Sequence, residues 1–358
     1  MKTILLSPEL FLGEGGIARI MRLYLKSLCE LAAPSEPVVA IVLNDFPGHD
    51  SKLPRYSTPA LQAILGCSRS KWRFARATLS QAQRDARIVC GHLHQLPIAW
   101  LAQRLNPGLA YYLVAHGIEV WRPYSALEVR AMRGATAIWC ISEYTRRQML
   151  RFCPQLDPRR LVVVPNTFDP FFTPTALPPT VPTPGAPKLL VVSRLATTDT
   201  YKGIDTVIEA MPAFLRQHPH AQLRIVGGGN DVPRLTALVA ALHLQQAVTL
   251  TGIIDDAALR AEYANCDVFA LPSRKEGFGL VYLEAMIYGK PCLGARAGGA
   301  PEVINDHVGV LADYGNIPEI AVALDDLVRH PRDAATIRAH ADSFDFTHFT
   351  ARLAHALR

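Results

Sequence analysis

The stretch that decides the fold of this 358-residue chain is residues 267–286, DVFALPSRKEGFGLVYLEAM. Four apolar residues, Val268–Leu271, run into a loop that contains a proline and two glycines, and apolar residues then recur at helical spacing from Leu280. A short apolar run that ends at turn residues predicts a buried strand, and apolar residues three or four apart predict a helix. The stretch therefore predicts a strand–loop–helix unit with glycines at the start of the helix.

The same alternation of apolar runs and amphipathic stretches recurs along the whole chain. Predicted strands cover residues 4–7, 38–43, 88–90, 111–115, 137–141 and 161–164, and then 189–193, 222–226, 248–251, 268–271, 292–295 and 309–311. Helical patterns lie between them, for example at 17–31, 204–217, 232–242 and 280–288. Strand–helix alternation predicts an α/β protein whose parallel sheets are covered by helices on both faces.

A proline-rich stretch divides the chain into halves. Residues 173–187 contain six prolines, which remove backbone donors and favour extended conformations, so we expect a semi-rigid linker. The predicted organisation is two Rossmann-like parallel-sheet domains at 1–172 and 188–358, the last helix either staying with the second domain or packing back on the first. Two such domains side by side would face a central cleft, because ligands of open α/β sheets bind at the carboxyl ends of the strands.

Composition excludes several classes of protein. With 49% hydrophobic and 19% charged residues the chain can build two cores, which excludes wholesale disorder. The seven cysteines are scattered and form no C-x-x-C pair, so neither a disulfide framework nor a structural zinc site is expected. The apolar run at the start of the sequence is too short for a signal peptide, and no run in the sequence approaches the ~18 apolar residues of a membrane span. We therefore expect a reduced, cytoplasmic protein.

Charge is unevenly distributed. The formal charge of +6 combines +9 over residues 1–172 with −3 over residues 173–358, and residues 69–87 hold six basic residues and one acidic residue. Trp72 and Phe74 stand among these cations, which is typical of an interfacial helix on anionic lipid, and a solvated helix face is the alternative. Nucleic-acid binding uses similar chemistry, but no nucleic-acid module accompanies the segment. We expect a peripheral position on the inner face of a membrane and no nucleic-acid partner.

Candidate phosphate-binding groups follow predicted strands of the second half. Arg194 comes directly after the strand at 189–193, and Lys202 directly precedes the helix at 204–217. Two cations at the carboxyl end of a strand suit a diphosphate, although two solvated surface charges would give the same pattern. The amides of Phe278, Gly279 and Leu280 would point outward at the start of a helix, where anions bind.

Other candidate groups would contact hydroxyls or a further phosphate. The carboxylates of Glu276 and Glu284 would flank the phosphate site, and since carboxylates accept hydrogen bonds we expect them to bind sugar or ribose hydroxyls. Gly15 and Gly16, after the first strand, either let backbone amides approach an anion or form a plain tight turn. His92 and His94 form an H-x-H pair, which either binds a metal or lines the end of a strand.

Taken in chain order, these motifs resemble family 4 of the retaining glycosyltransferases, which have the GT-B fold. The matching motifs are Gly15-Gly16, Ser193-Arg194-Leu195, Lys202-Gly203, E-G-F-G-L-x-x-L-E-A-M from Glu276 to Met286, and Gly298-Gly299-Ala300-Pro301-Glu302. The resemblance spans most of the chain, and its most specific part is the pair of glutamates eight positions apart, at 276 and 284.

The resemblance implies a role for each matching residue. Arg194, Lys202, Gly16 and the amides of Phe278, Gly279 and Leu280 would bind the donor diphosphate, Glu284 the ribose, Glu276 and Gly277 the transferred sugar, and Gly15 would leave room for phosphate and acceptor. His116, in the sequence H-G-I-E-V-W, would lie close to the donor sugar. Members of the family keep the anomeric configuration and usually need no metal. We expect no cofactor here, and the sequence contains no D-x-D motif.

The predicted function is retaining transfer of a hexose, mannose or glucose, from a nucleotide-diphosphate sugar to a hydroxyl. The acceptor would be a glycan or a polyprenyl-linked molecule, as in polysaccharide or lipopolysaccharide synthesis. Residues 227–231 and 251–253 should flank the base without distinguishing uracil from guanine. The alternatives are a nucleotide-sugar epimerase on the same fold and a non-catalytic nucleotide-sugar binding protein. A nicotinamide oxidoreductase is disfavoured because the chain lacks the G-x-G-x-x-G fingerprint.

Overall fold

The structure is a computed structural model that describes residues 1–13, 15–48, 50–176 and 186–358. The chain forms two compact units, Met1–Asp169 together with Phe346–Arg358, and Pro170–Asp345. The predicted linker at 173–187 lies largely outside the described residues. The first unit ends at residue 169 rather than 172, and the segment from Phe346, for which packing on the first domain was one of the two alternatives, groups with the first unit.

The first unit is built on a seven-stranded parallel sheet with the strand order β3-β2-β1-β4-β5-β6-β7. The strands are β1 (Lys2–Ser7), β2 (Val38–Val42), β3 (Leu61–Gly66), β4 (Ala86–Cys90), β5 (Ala110–Ala115), β6 (Ala137–Cys140) and β7 (Leu161–Val163). Strand β3 was not predicted. It lies at the edge of the sheet, none of its residues is fully buried, and Gln62 interrupts its apolar residues.

Helices cover this first sheet. They are α1 (Gly16–Leu31), α2 (Lys71–Gln81), α3 (Leu96–Leu105), α4 (Ala126–Gly134) and α5 (Glu143–Phe152). Strands β2 and β4 are buried along their whole length, as expected of parallel strands packed on both faces. Ser142 accepts a hydrogen bond from the Thr145 amide at 3.1 Å, so this serine caps α5.

The second unit is built on a six-stranded parallel sheet with the order β10-β9-β8-β11-β12-β13. The strands are β8 (Lys188–Val192), β9 (Gln222–Val226), β10 (Val248–Gly252), β11 (Val268–Leu271), β12 (Cys292–Ala295) and β13 (Gly309–Ala312). The helices are α6 (Ile204–Leu215), α7 (Val232–Ala241), α8 (Asp256–Asn265), α9 (Leu280–Met286), α10 (Ile317–Arg329) and α11 (Ala334–Asp342). The predicted pair of parallel α/β domains is therefore confirmed.

The chain returns to the first unit at its C-terminal end. Helix α12 (Phe346–Ala356) packs against α1, where the Phe349 ring meets the Tyr24 ring edge-on at 4.9 Å and Leu353 is fully buried. All seven cysteines lie within the described residues, and all are buried and without disulfide bonds. Buried aromatic and aliphatic contacts, rather than covalent links, therefore attach the end of the chain to the first unit.

Each sheet has one point at which the strand order reverses direction. In the first sheet β1 lies between β2 and β4, and in the second sheet β8 lies between β9 and β11. The loops that leave two adjacent strands in opposite directions at such a point open a crevice at the carboxyl edge of the sheet. Gly15 and Gly91 follow the central strands of the first sheet, and Arg194 and Ser273 follow those of the second.

Candidate active site

Lys202 is brought against the loop after β11 by the glycine that follows it. Gly203 has φ +72°, and a Cβ at this position would lie 2.6 Å from the carbonyl oxygen of Pro272. Only glycine tolerates both the left-handed conformation and this close approach. The Lys202-Gly203 motif therefore joins the start of α6 to the loop that contains Glu276.

Lys202 and Glu276 form an ion pair. Nζ of Lys202 lies 2.9 Å from Oε2 of Glu276, and the two side chains are 21% and 13% exposed. Burial works to lower the pKa of Lys202, but the Glu276 carboxylate outweighs it, so the pKa of Lys202 lies above its ordinary value. Lys202 therefore keeps its positive charge at neutral pH in a partly desolvated place, where a charge interacts strongly with an anion.

Arg194 is oriented by a carboxylate that the sequence analysis did not single out. Nε of Arg194 lies 2.7 Å from Oδ2 of Asp199, which is 6% exposed, whereas the arginine side chain is 70% exposed. The buried carboxylate of Asp199 thus fixes the orientation of the Arg194 guanidinium. The signal in the sequence that could have identified Asp199 is its position as the acidic residue in the loop between the two candidate phosphate-binding cations.

The Gly298-Gly299 motif supports the backbone of Glu276. The Gly299 amide donates to the carbonyl oxygen of Glu276 at 2.7 Å, and a Cβ at Gly298 would lie 2.5 Å from that oxygen. Gly298 also has φ +63°, which favours glycine. The motif therefore holds the loop after β11 against the loop after β12 and fixes the position of the Glu276 backbone.

The start of α9 is shaped by Gly279 and Phe278. Gly279 precedes the helix with φ +97°, and a Cβ there would lie 2.2 Å from the Tyr282 ring. Phe278 is 3% exposed and its ring meets the Phe344 ring at 5.6 Å, so its side chain belongs to the core. The backbone amides at positions 278 to 280 are therefore what this segment can offer to a ligand.

Glu284 lies deeper than the sequence analysis implied. The residue is 3% exposed, and its Oε2 accepts a hydrogen bond at 2.8 Å from the hydroxyl of Tyr263, which is fully buried. Tyr263 belongs to α8, so its contact with α9 could not be read from local spacing. The ribose-binding role of Glu284 stays a prediction, and Tyr263 is the residue that would orient its carboxylate.

Gly15 and Gly16 begin α1 in open space. Gly15 has φ −67°, which any residue adopts, and a Cβ at Gly16 would meet no atom of the described residues within 4 Å. Neither backbone conformation nor packing inside the first unit therefore demands these glycines. This observation disfavours the plain-turn alternative and favours a site at which a ligand approaches the backbone.

Two charged residues hold the loop that leads to these glycines. Asp45 accepts hydrogen bonds from the amides of Leu10 and Phe11 at 3.2 and 2.9 Å. Arg22, which is 2% exposed, donates to the carbonyl oxygens of Leu10 and Gly13 at 2.6 and 3.0 Å. Neither residue was predicted from the sequence, because Asp45 follows a different strand and Arg22 lies inside α1.

His116 follows β5 and is 9% exposed. Its Nε2 lies 2.9 Å from the carbonyl oxygen of Gly91, and because a carbonyl can only accept, Nε2 carries the proton. Burial, with a smaller effect of His92, lowers the pKa of His116 to about 4, so the ring is neutral at physiological pH. A neutral ring with a protonated Nε2 leaves Nδ1 as a hydrogen-bond acceptor.

The H-x-H pair closes the turn after β4. Nδ1 of His92 accepts a hydrogen bond from the His94 amide at 3.2 Å, and the two rings lie 4.7 Å apart. Burial lowers the pKa of His92 to about 4. Within the described part of the chain no group of three or more histidine, cysteine or acidic side chains could hold a metal ion. The contacts of His92 favour the turn over the metal alternative.

The basic segment at 69–87 is not a single surface. Arg87 lies inside β4, is 8% exposed and donates from Nε to the Thr3 hydroxyl at 2.8 Å, and Phe74 is 5% exposed. Their prediction as surface groups was wrong, because strand β4 and the buried face of α2 take them into the core. Trp72 is 77% exposed. The exposed cations beside it are Arg69, Lys71, Arg73 and Arg76.

No helix that could cross a lipid bilayer occurs among residues 1–13, 15–48, 50–176 and 186–358.

Two family models match the chain. The model described as "Glycosyltransferase Family 4" matches residues 25–171, and the model described as "Glycosyl transferases group 1" matches residues 178–343. Together the two matches cover most of both units.

Curated relatives include mannosyltransferases from mycobacteria. The chain is 37% identical over 159 residues to a GDP-mannose-dependent alpha-(1-6)-phosphatidylinositol monomannoside mannosyltransferase from Mycolicibacterium smegmatis. That match covers 42% of this chain and 41% of the relative. The chain is 31% identical over 265 residues to a protein of the same name from Mycobacterium tuberculosis. That match covers 65% of this chain and 64% of the relative. The matches thus span less than two thirds of these relatives.

A solved structure shares the architecture of the whole chain. The crystal structure of Anabaena Alr3699/HepE in complex with UDP superposes with a TM-score of 0.78, covering 100% of this chain and 99% of that one at 20% identity. At this identity the likeness concerns the fold. The predicted GT-B fold is confirmed.

Proposed function

Because this chain belongs to family 4 of the glycosyltransferases, we propose that it transfers a hexose from a nucleotide-diphosphate sugar to a hydroxyl, with retention of configuration. The observation that carries the proposal is the Lys202–Glu276 ion pair after β11, together with Arg194 after the neighbouring strand β8. These groups stand at the strand-order reversal of the second sheet, where open α/β sheets bind phosphate-containing ligands.

The proposed donor is GDP-mannose. Two relatives at 37% and 31% identity carry that donor in their names, whereas the structure that holds UDP is 20% identical. UDP-glucose is the second candidate, because glucose and mannose differ at one hydroxyl and nothing in the base-flanking segments distinguishes the two bases. The relatives' names also support a lipid-linked acceptor carrying a sugar.

The cations of the second unit stabilise the leaving diphosphate in this proposal. A lysine ammonium has three donors, and the ion pair with Glu276 uses one of them, so Lys202 can bind a phosphate oxygen without losing its partner. Asp199 orients Arg194 through Nε, and the guanidinium so oriented would bind a second phosphate. Such groups need no reorganisation as negative charge develops on the leaving group.

The transferred sugar is held by Glu276 and His116 in the proposal. Glu276 accepts from sugar hydroxyls next to Gly277, and the neutral His116 ring accepts through Nδ1. The diphosphate leaves from the face on which the acceptor hydroxyl attacks, and its oxygen takes the acceptor's proton. Gly15 and Gly16 leave the space for phosphate and acceptor beside α1.

The proposal includes no metal or other cofactor, since Arg194 and Lys202 supply the positive charge. It also places the exposed face of α2 on an anionic membrane surface at the inner side of the membrane, because Trp72 stands there among four exposed cations. A polyprenyl-linked or other lipid-linked acceptor would be reached from that surface.

The test is a transfer assay with GDP-mannose and UDP-glucose against lipid-linked and free glycan acceptors, with the anomeric configuration of the product read by NMR. Lys202→Ala and Glu276→Ala should each lower turnover at least ~100-fold, the scale expected for losing one preorganised electrostatic contact. Lys275→Ala, which removes an exposed cation one residue from Glu276, is the matched control and should stay near wild type. EDTA should leave turnover unchanged.

The competing functions give different results in the same assay. An epimerase would convert the donor sugar without any acceptor. A non-catalytic binding protein would bind the donor, transfer nothing and tolerate His116→Ala. Near wild-type turnover in both Lys202→Ala and Glu276→Ala would contradict the assignment of the site.

A further inference from the structure

A groove runs along helix α4 of the first unit. Its volume is about 620 Å³, within the ~300–1,000 Å³ of ligand sites in proteins. Its polar lining is Arg130, Arg133 and Gln155. Val129 and Tyr124 add apolar surface, and none of the described residues that line the groove is acidic. The groove therefore offers positive charge and hydrogen-bond donors beside apolar surface.

Within the described part of the chain, the guanidinium groups of Arg130 and Arg133 form no ion pair and no hydrogen bond. Both side chains are exposed, and they stand three positions apart on one helix, where like charges repel each other. The carboxylates of this part of the sequence have other partners: Glu128 pairs with Arg122 at 2.6 Å, Glu143 pairs with Arg146 at 2.9 Å, and Asp157 accepts from the Arg159 amide at 3.0 Å. An anion bound in the groove would relieve the repulsion.

The end of α4 is satisfied by a different arginine. Nη1 of Arg160 donates to the carbonyl oxygens of Arg133 and Ala135, both at 3.1 Å. The last carbonyls of a helix lack partners within the helix, and a cation there satisfies them well. Arg160 thus adds a positive charge near Arg133 and leaves the two guanidinium groups of the groove to a ligand.

The groove lies on the same side of the first sheet as helix α2. Phe74 of α2 and Met132 of α4 belong to one apolar cluster, so both helices cover the same face of the sheet. Exposed leucines on α3 and α4 are Leu101, Leu105 and Leu127. Cations beside exposed apolar side chains suit a lipid head group better than a free anion. A membrane surface that meets α2 would therefore be on the side of the groove.

One end of the groove lies at the loop that follows His116. The Tyr124 hydroxyl donates to the carbonyl oxygen of Val120, in the turn Ile118–Val120 that begins two residues after His116. Arg130 lies one helical turn further, a rise of about 6 Å from the first residue of α4. A phosphate attached to a sugar near His116 would therefore come within reach of the groove.

We propose that the groove along α4 binds the phosphate ester that joins the acceptor sugar to its lipid, through the guanidinium groups of Arg130 and Arg133. A sugar on a polyprenol or on a phospholipid is attached through such a phosphate, so both kinds of lipid-linked acceptor contain it. A guanidinium binds phosphate oxygens through two parallel N–H groups. This inference rests on the proposed function, because it takes the lipid-linked acceptor from there.

The experiment compares wild type, the groove variant Arg130→Gln/Arg133→Gln and the control variant Arg147→Gln/Arg216→Gln, which removes two exposed arginines that do not line the groove. The acceptors are dioctanoyl phosphatidylinositol monomannoside and octyl mannoside, which has no phosphate. Both are used below the concentration at which they form micelles, so that α2 meets no lipid surface.

The groove variant should raise the KM of the phosphate-bearing acceptor about tenfold, because each exposed charge contact contributes a few-fold to binding. Its KM for octyl mannoside, its kcat and its donor KM should stay within about twofold of wild type, since no other group is removed. The control variant should behave like wild type with both acceptors.

Titration calorimetry with dioctanoyl phosphatidylinositol supplies a readout that does not need turnover. The Kd should be about tenfold higher in the groove variant than in wild type or the control variant. An unchanged acceptor KM in the groove variant, an equal rise with octyl mannoside, or inorganic phosphate bound as tightly as the lipid would overturn the inference. If wild type transfers no sugar but its binding of the lipid still depends on the two arginines, the proposed function fails and the phosphate site stands.

Discussion

Buried polar side chains orient candidate functional groups in both units. Asp199 orients Arg194, Tyr263 meets Glu284, and Asp45 holds the amides of the loop before Gly15. Each of these partners lies in a part of the chain that has no recognisable functional motif. Residue types at strand ends were enough to nominate the groups proposed to contact a ligand, but the residues that orient those groups could be identified only from their contacts in the structure.

Asp199→Asn should weaken nucleotide binding modestly. The arginine is 70% exposed, so the ion pair is screened by water and its loss should cost about 1 kcal/mol, or about fivefold in Kd for GDP. Titration calorimetry with GDP measures this. Asp205→Asn, which removes an acidic residue paired with Arg234 at 3.2 Å, is the control and should bind GDP like wild type. A Kd for Asp199→Asn equal to that of the control would contradict the role of Asp199.

The glycines of the second half show that a glycine motif alone does not distinguish a ligand site from a packing requirement. The segment from Gly227 was expected to flank the base, and in the structure Gly227 has φ +141° with a virtual Cβ 1.8 Å from the Ser193 carbonyl oxygen. A packing requirement therefore explains Gly227 without any ligand. At Gly16 the space is open, so the two glycine motifs, alike in sequence, have different physical causes.

At the scale of elements, helix α2 separates its residues by face. Phe74 and Thr78 are buried against the first sheet, whereas Trp72 and the neighbouring cations are exposed. Ser70 caps the helix by accepting from the Arg73 amide at 3.3 Å, so the exposed charges begin at a defined helix start. The membrane proposal therefore concerns Arg69, just before the helix, and the exposed face of α2, without Arg87.

Removing the four exposed cations at the start of α2 and just before it should weaken binding to vesicles of anionic phospholipid. Each cation near such a surface contributes about 1 kcal/mol, so replacing all four by Gln should lower partitioning at least ~10-fold at physiological salt and leave GDP binding unchanged. The four positions are Arg69, Lys71, Arg73 and Arg76. A control variant changes four other exposed arginines, namely Arg147, Arg151, Arg159 and Arg216. Equal loss in both variants would indicate a net-charge effect rather than a docking face.

At the scale of the whole molecule, the chain consists of two units with separate sheets and opposite charge balance. The basic excess lies in residues 1–172 and the acidic excess in residues 173–358, yet the proposed diphosphate site lies in the acidic half. In the proposed function, local cations held by carboxylates, rather than net charge, decide where the nucleotide binds. The proposal assigns the membrane surface and the acceptor to the basic half.

GDP alone should protect the second unit against hydrogen exchange. Peptides that contain residues 193–203 and 273–285 should exchange more slowly with saturating GDP, because binding to the native state raises its stability by RT ln(1 + [L]/Kd). Exchange followed by mass spectrometry on the full chain measures this, with Lys202→Ala as the control that should show less protection. Protection confined to the first unit would place the nucleotide elsewhere.

The sequence by itself determined the order of strands and helices, since central parallel strands are buried on both faces and appear as short apolar runs. It also determined the groups at the strand ends, among them Arg194, Lys202 and Glu276, because chemistry and spacing are local properties. It missed β3, whose residues at the sheet edge lack that burial.

The tertiary structure decided which long-range partners these groups have. Helix α12 joins the first unit because Phe349 and Leu353 find apolar surface there, and Arg87 is buried because β4 lies inside the sheet. The bend at Gly117, where the His116 amide donates to the Glu119 carboxylate, likewise depends on backbone conformation rather than residue type. Burial and hydrogen bonding between distant segments are properties of the folded chain, and they assigned the positioning residues.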